Sequence, residues 1–267
     1  GDAAAASGPE PVVPTDAAAA IEEAQRIARQ LVADFPQNPD ALEVAARAQL
    51  ALGSVTQAED AWRKCLEVNP QYAYAHAGLG MAAARKGELR QAVVHFRRAL
   101  EIDSGATQTR LDLAQALFDL GEMEDAAEVL ETHLRQRPAS AEARVLLGMI
   151  ALQRGDAAGA REHYAAAAGS RPQDARARLG LANAYTRLGQ TELAREAMAE
   201  FQKLRAQERQ TRQSDLRGYD DVAALGEELA HVCMNASRIY HARGRAVEAE
   251  RLWRYAAAVD AGNIDAR

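Results

Sequence analysis

Apolar residues recur along this chain at helical spacing, and glycines interrupt them at a fixed interval. Leu111, Leu113, Ala114 and Leu117 precede Gly121. Ala126, Leu130 and Leu134 follow it at spacing four, which marks one buried helix face. The pattern predicts two helices joined at the glycine. The same pair returns every 34 residues, at Gly53, Gly87, Gly121, Gly155 and Gly189. Gly244 follows after 55 residues, 21 more than the period.

With the glycine at position 15, units begin at Pro39, Ala73, Thr107, Ala141, Ala175 and Ala230. Position 20 holds Ala58, Ala92, Ala126, Ala160, Ala194 and Ala249. Position 24 holds Trp62, Phe96, Leu130, Tyr164, Met198 and Trp253. Each column has a physical reason. Glycine accepts the left-handed backbone after a helix. Alanine lets helices cross closely. The large apolar residue fills the space between neighbouring pairs. Proline at position 32 (Pro70, Pro138, Pro172) stops the second helix. Ser104, Ala206 and Ala261 stand there in units 2, 5 and 6, whose second helices are therefore expected to run on.

These columns resemble the tetratricopeptide repeat, a helix–turn–helix unit of this length. Residues 79–103, LGMAAARKGELRQAVVHFRRALEID, carry the resemblance most clearly, and it extends over residues 17–263 apart from the insertion. It implies an all-α, right-handed solenoid of about six helix pairs with an N-terminal capping helix. Position 4 departs from the family, where a large residue is usual: His76, Arg110, Arg144 and Arg178 occupy it. Their stems are expected on the core and their heads in water.

The phase also organises the ends. Residues 1–16 carry Pro9, Pro11 and Pro14 and read as a disordered linker or tail. Residues 17–36 read as a second helix without its first, capping the array. Residues 39–205 hold five units and 230–263 the sixth. Residues 206–229 read as an extension of two adjacent helices into a projecting hairpin, turned at 217–221 with Asp220 or Asp221 as N-cap. The closing IDAR (264–267) matches the opening of a further unit, so the chain reads as part of a longer protein.

Composition adds limits. The 267 residues are 48% hydrophobic and 26% charged, which suits a folded protein with an ample core. A net charge of −6 gives no support to nucleic-acid binding. No apolar run approaches the ~18 residues of a membrane span. No CxxC, HExxH or phosphate loop occurs, and His231 and His241 would stand ~15 Å apart on a helix. Cys65 and Cys233 fall in packing columns. Neither catalysis nor a cofactor or metal is expected, and the compartment stays open between cytoplasm and bacterial periplasm or envelope.

The resemblance implies a function through the concave face, which first helices line with positions 2, 5, 9, 12 and 13. The candidates are Arg47, Tyr74, Met81, Arg85, Leu111, Gln115, Phe118, Met149, Leu152, Asn183, Arg187 and Arg238. Apolar anchors hold the centre, where methionine and aromatic side chains suit an adaptable peptide site. Arginines on the flanks would pair with a partner's carboxylates. The expectation is a non-enzymatic scaffold that binds a protein or peptide segment. The alternatives are self-association through the hairpin or solenoid ends, and a targeting domain of a larger enzyme or envelope complex.

Overall fold

The computed structural model describes residues 17–215 and 220–259, with side chains 212–225 left out. The proline-rich segment, the turn at 216–219, the capping role of Asp220 or Asp221 and the closing IDAR lie outside what is described. Thirteen helices and no strand occupy the described residues: α1 (Ala17–Asp34), α2 (Pro39–Ala51), α3 (Val55–Val68), α4 (Ala73–Arg85), α5 (Leu89–Ile102), α6 (Thr107–Leu120), α7 (Met123–Gln136), α8 (Ala141–Gln153), α9 (Ala157–Ser170), α10 (Ala175–Arg187), α11 (Thr191–Asp215), α12 (Asp220–Ala242) and α13 (Ala246–Val259). They form the all-α solenoid of helix pairs expected from the period. The long α11 and α12 replace the regular helices where the 21 extra residues fall.

The glycine turn works by a specific backbone exchange. Gly121 adopts φ +83° after α6. This lets the Glu122 N–H donate back to the Leu117 carbonyl at 2.9 Å and close the helix end. The other five glycines of the column share the left-handed backbone. Helix starts are capped by Asn38, Ser140, Asp156 and Asp174, whose side chains accept backbone N–H groups of the first turn.

Second helices end by more than one device. Without a proline, α5 was expected to run on, yet it stops at Ile102. There Asp103 Oδ1 accepts the Gly105 N–H at 2.9 Å, an Asx turn that breaks the helix. By contrast, α11 does continue, to Asp215.

The chain divides into two compact units. One unit is residues 79–218 and follows the repeat closely. Its helices pack in succession, and first helices α6, α8 and α10 lie side by side. Ala92, Ala126 and Ala160 are fully buried, as are Leu130 and, within a few per cent, Phe96 and Tyr164. Burying one such large side chain stabilises by about 1.5–3 kcal/mol. Tyr164 fits because glycines make room: a Cβ at Gly180 would stand 2.2 Å from its ring and one at Gly148 2.8 Å.

The other unit joins residues up to 78 with those from 219 on. Here α12 packs along α1 and against α2, and α13 packs on α12. Leu31, Leu229 and Cys233 are fully buried in the shared core with Ile27 and Val44. The apolar stripe of α1, expected to cap the array, is itself covered by a helix from the sixth repeat. The contact is sealed at one end by polar groups. The Tyr240 hydroxyl donates to Asp34 Oδ2 at 2.5 Å, and the Arg245 guanidinium lies 3.0 Å from the same carboxylate. The Phe35 and Tyr240 rings meet edge to face at 5.2 Å, with Arg245 5.0 Å over Tyr240. Seven residues before Tyr240, Cys233 lies in the field of Glu23 and Arg26. The matching offsets show that α12 runs in the same direction as α1, unlike the alternating helices of a repeat.

Candidate functional site

Six of the twelve groove candidates converge in residues 79–218. A cleft of about 730 Å³ opens over α6, α8 and α10. Leu111, Gln115 and Phe118 line it from α6, Met149 and Leu152 from α8, and Asn183 from α10. These helices present corresponding positions because they stack in register at the repeat period. Leu111 and Leu152 are each 9% exposed and form the floor. Met149 is 37% exposed and stands where a ligand could reach it. The position-6 residues Asp112, Leu146 and Gly180 and the ring of Tyr164 also line the cleft. The choice of positions 2, 5, 9, 12 and 13 missed them, although the neighbouring helical position was the available signal.

The polar groups of this cleft are already partly engaged. Gln108 donates to Asp112 at 3.0 Å, and burial pushes the Asp112 carboxyl above its usual range. Gln115 donates to Asp119 at 2.8 Å. Arg176 grips Asp174 at 2.8 and 3.1 Å, so its charge serves the start of α10. Arg187 donates to the Leu152 carbonyl. Met81 packs against the core cluster of Phe96 and Leu111 rather than lining the cleft. Arg85 is exposed on the last turn of α4, outside the cleft lining.

The remaining candidates, Arg47, Tyr74 and Arg238, belong to the other unit. They line a separate cleft of about 500 Å³ among α2, the start of α4 and α12. One groove was expected from the sequence, and two clefts of different character carry its candidates. The reason is the return of α12 to α2, which puts Arg238 opposite Arg47.

Position 4 also differs from expectation. Arg110 is 6% exposed, and its head is not in water. It donates to the Ser104 carbonyl and to Gln136 Oε1, the latter at 2.7 Å. Arg144 donates to the Pro138 carbonyl at 3.3 Å, and His76 lies 3.2 Å from the Pro70 carbonyl. The column thus satisfies the position-32 carbonyl of the preceding unit. Arg178 instead pairs with Glu200 at 2.9 Å.

Both thiols and one imidazole are held in the core. Cys65 and Cys233 are fully buried, and burial raises both thiols, Cys65 to about 12. His133 is buried and its pKa is lowered mainly by desolvation. Among the described residues no group of three His, Cys, Asp or Glu could hold a metal, and no helix is long and apolar enough to cross a membrane.

Comparison with known proteins gives the same architecture. Among curated proteins no match was found. A solved structure of MamA from Desulfovibrio magneticus RS-1 is 19% identical, with a TM-score of 0.59, and covers 64% of this chain and 97% of its own. YrrB, described as a TPR protein with an unusual peptide-binding site, is 20% identical with a TM-score of 0.57, covering 66% and 91%. The pilF protein of Pseudomonas aeruginosa is 20% identical with a TM-score of 0.58, covering 85% and 94%. At such identities the likeness is one of fold. Sequence models described as tetratricopeptide repeat match residues 16–64, 44–107, 111–175, 151–218 and 230–254. Those matches span most of the chain, which belongs to the tetratricopeptide-repeat family.

Proposed function

We propose that this protein is a non-enzymatic interaction scaffold that holds an extended or helical peptide segment in the cleft of α6, α8 and α10. The carrying observation is that cleft of about 730 Å³, with an apolar floor and Met149 left 37% exposed above it. An exposed methionine beside Phe118 offers contact area that adapts to the side chain it receives. Asn183 and Gln115 on the same walls can hydrogen-bond a partner's backbone. A fold relative described as having a peptide-binding site supports the reading.

The test is affinity capture of partners by the intact chain, followed by titration of the recovered segment. Met149→Ala or Phe118→Ala should weaken binding by about 1 kcal/mol or more with the thermal transition retained. Unchanged affinity in both variants would refute the cleft as the site.

A further inference from the structure

The cleft of about 500 Å³ in the unit that joins both chain ends differs in chemistry from the apolar one. Three guanidiniums, Arg47, Arg238 and Arg243, stand around it against two carboxylates, Asp40 and Glu43. Asp40 is already engaged: it accepts the Tyr72 hydroxyl at 2.6 Å. Glu43 is the innermost charge, with a side chain 14% exposed. Arg47 approaches Glu43 only to 3.7 Å, an ion pair without a hydrogen bond. Arg238, on α12, and Arg243, in the turn that follows it, are exposed, with no ion pair among the described residues. Tyr74, 62% exposed, lies 5.8 Å from Tyr72 and gives the cleft an aromatic wall.

We propose that this cleft binds an acidic peptide segment, whose carboxylates pair with Arg238, Arg243 and Arg47 while its backbone lies on Tyr74. Guanidiniums suit carboxylates because their planar donors match two acceptor oxygens at once. The net positive balance of the rim selects this occupant over a basic one. The site exists only because α12 lies against α2, so it couples the first repeat to the sixth.

Glu43 makes the binding depend on pH. Desolvation lifts its carboxyl to about 7, with Asp40 adding to the lift and Arg47 opposing it. The charged and titratable groups around it are Asp40 and Arg47 on α2, Cys65 on α3, Tyr72 and Tyr74 at α4, Arg238 on α12 and Arg243 just after it. On the α1 side the shared core is apolar, through Ala24, Ile27 and Leu31. As pH falls through about 7, Glu43 takes a proton, its ion pair with Arg47 is lost and the net charge of the cleft rises by one. An acidic ligand then binds more tightly, and by linkage it raises the Glu43 pKa further.

The experiment titrates labelled oligoglutamate and oligolysine into the intact chain by fluorescence anisotropy. Oligoglutamate should bind about fivefold more tightly near pH 6 than near pH 8. Glu43→Gln should keep the tight affinity and remove the pH dependence. Arg238→Gln with Arg243→Gln should weaken binding about tenfold at both pH values. Met149→Ala, which tests the other cleft, should leave the oligoglutamate affinity as it is. Circular dichroism melts confirm that each variant is folded, and Arg238→Lys with Arg243→Lys replaces a pair that is not. Equal or tighter binding of oligolysine, no binding of oligoglutamate, or a pH dependence that survives Glu43→Gln overturns the proposal.

Discussion

Residues 79–218 and the unit built from both chain ends use the same repeat columns to different effect. In the first, every helix finds its neighbour a few residues away in sequence, and core residues repeat by position. In the second, α1 packs on α2 beside it and finds a further neighbour across 206 residues, and that contact is sealed by the side chains of Asp34 and Tyr240. The regular unit exposes an apolar cleft, and the joined unit a charged one. A periodic sequence therefore specifies neighbours only inside the array. Beyond it, individual side chains such as Asp34 and Tyr240 specify them.

The strongest way to break this contrast is Tyr240→Ala. The ring is 4% exposed and holds Asp34 and Phe35. Its loss should cost about 3–5 kcal/mol. Hydrogen exchange should show α1 and α12 losing protection while residues 79–218 keep theirs. Equal loss in both units would mean that they unfold as one.

Acidity should separate the units next. The Glu43 carboxyl is raised to about 7 from an ordinary value of 4.5. Its contribution is therefore fully present below about 4.5 and is lost as pH rises through about 7. Between about pH 5 and pH 9 the joined unit should lose up to about 3 kcal/mol on this account. Asp34 acts in the opposite sense. Its carboxyl is lowered chiefly by the Tyr240 hydrogen bond, so its contribution holds at neutral pH and fades only in acid. Urea titrations across pH should show this loss, developing from about pH 4.5 and complete soon above about pH 7, in wild type and not in Glu43→Gln.

A smaller effect sharpens the regular side. Gly180→Ala would place a methyl 2.2 Å from the Tyr164 ring. The cost should be about 1–3 kcal/mol, felt in residues 79–218 alone and read as a lowered melting transition. Smallest is the pair of caps. Asn38→Ala removes a buried cap with a 2.9 Å bond and should cost about 1 kcal/mol. Ser140→Ala removes a 3.3 Å bond and should cost less, as denaturant midpoints would show.

The fold was legible because its causes are local and repeated. Gly121 needs a left-handed backbone, Ala126 needs a close crossing, and both recur at the period. Much of the apolar cleft followed, since Leu111, Phe118 and Met149 occupy successive first helices in register. The Tyr164 wall was hidden because it depends on room left by Gly148 and Gly180. The ends of second helices were half legible: proline was readable, but the Asx turn of Asp103 needs only an acid and a glycine, which are common. Arg110 was misjudged because the carbonyl that it reaches lies in the preceding loop. The union of α1 with α12 left no periodic trace, since one tyrosine and one aspartate make its polar seal.

That union sets an order of events during synthesis. Once α1 leaves the ribosome, the helix that covers its apolar stripe has yet to be made, with 206 residues separating Asp34 from Tyr240. At about 5–20 residues per second the wait is about 10–40 seconds. Residues 79–218 can fold within it, each pair on the last. The part of the Ile27 and Leu31 stripe that α2 does not cover meanwhile remains open to chaperones or to neighbouring chains. The growing chain is thus vulnerable at α1, and translation speed should govern its yield of soluble product.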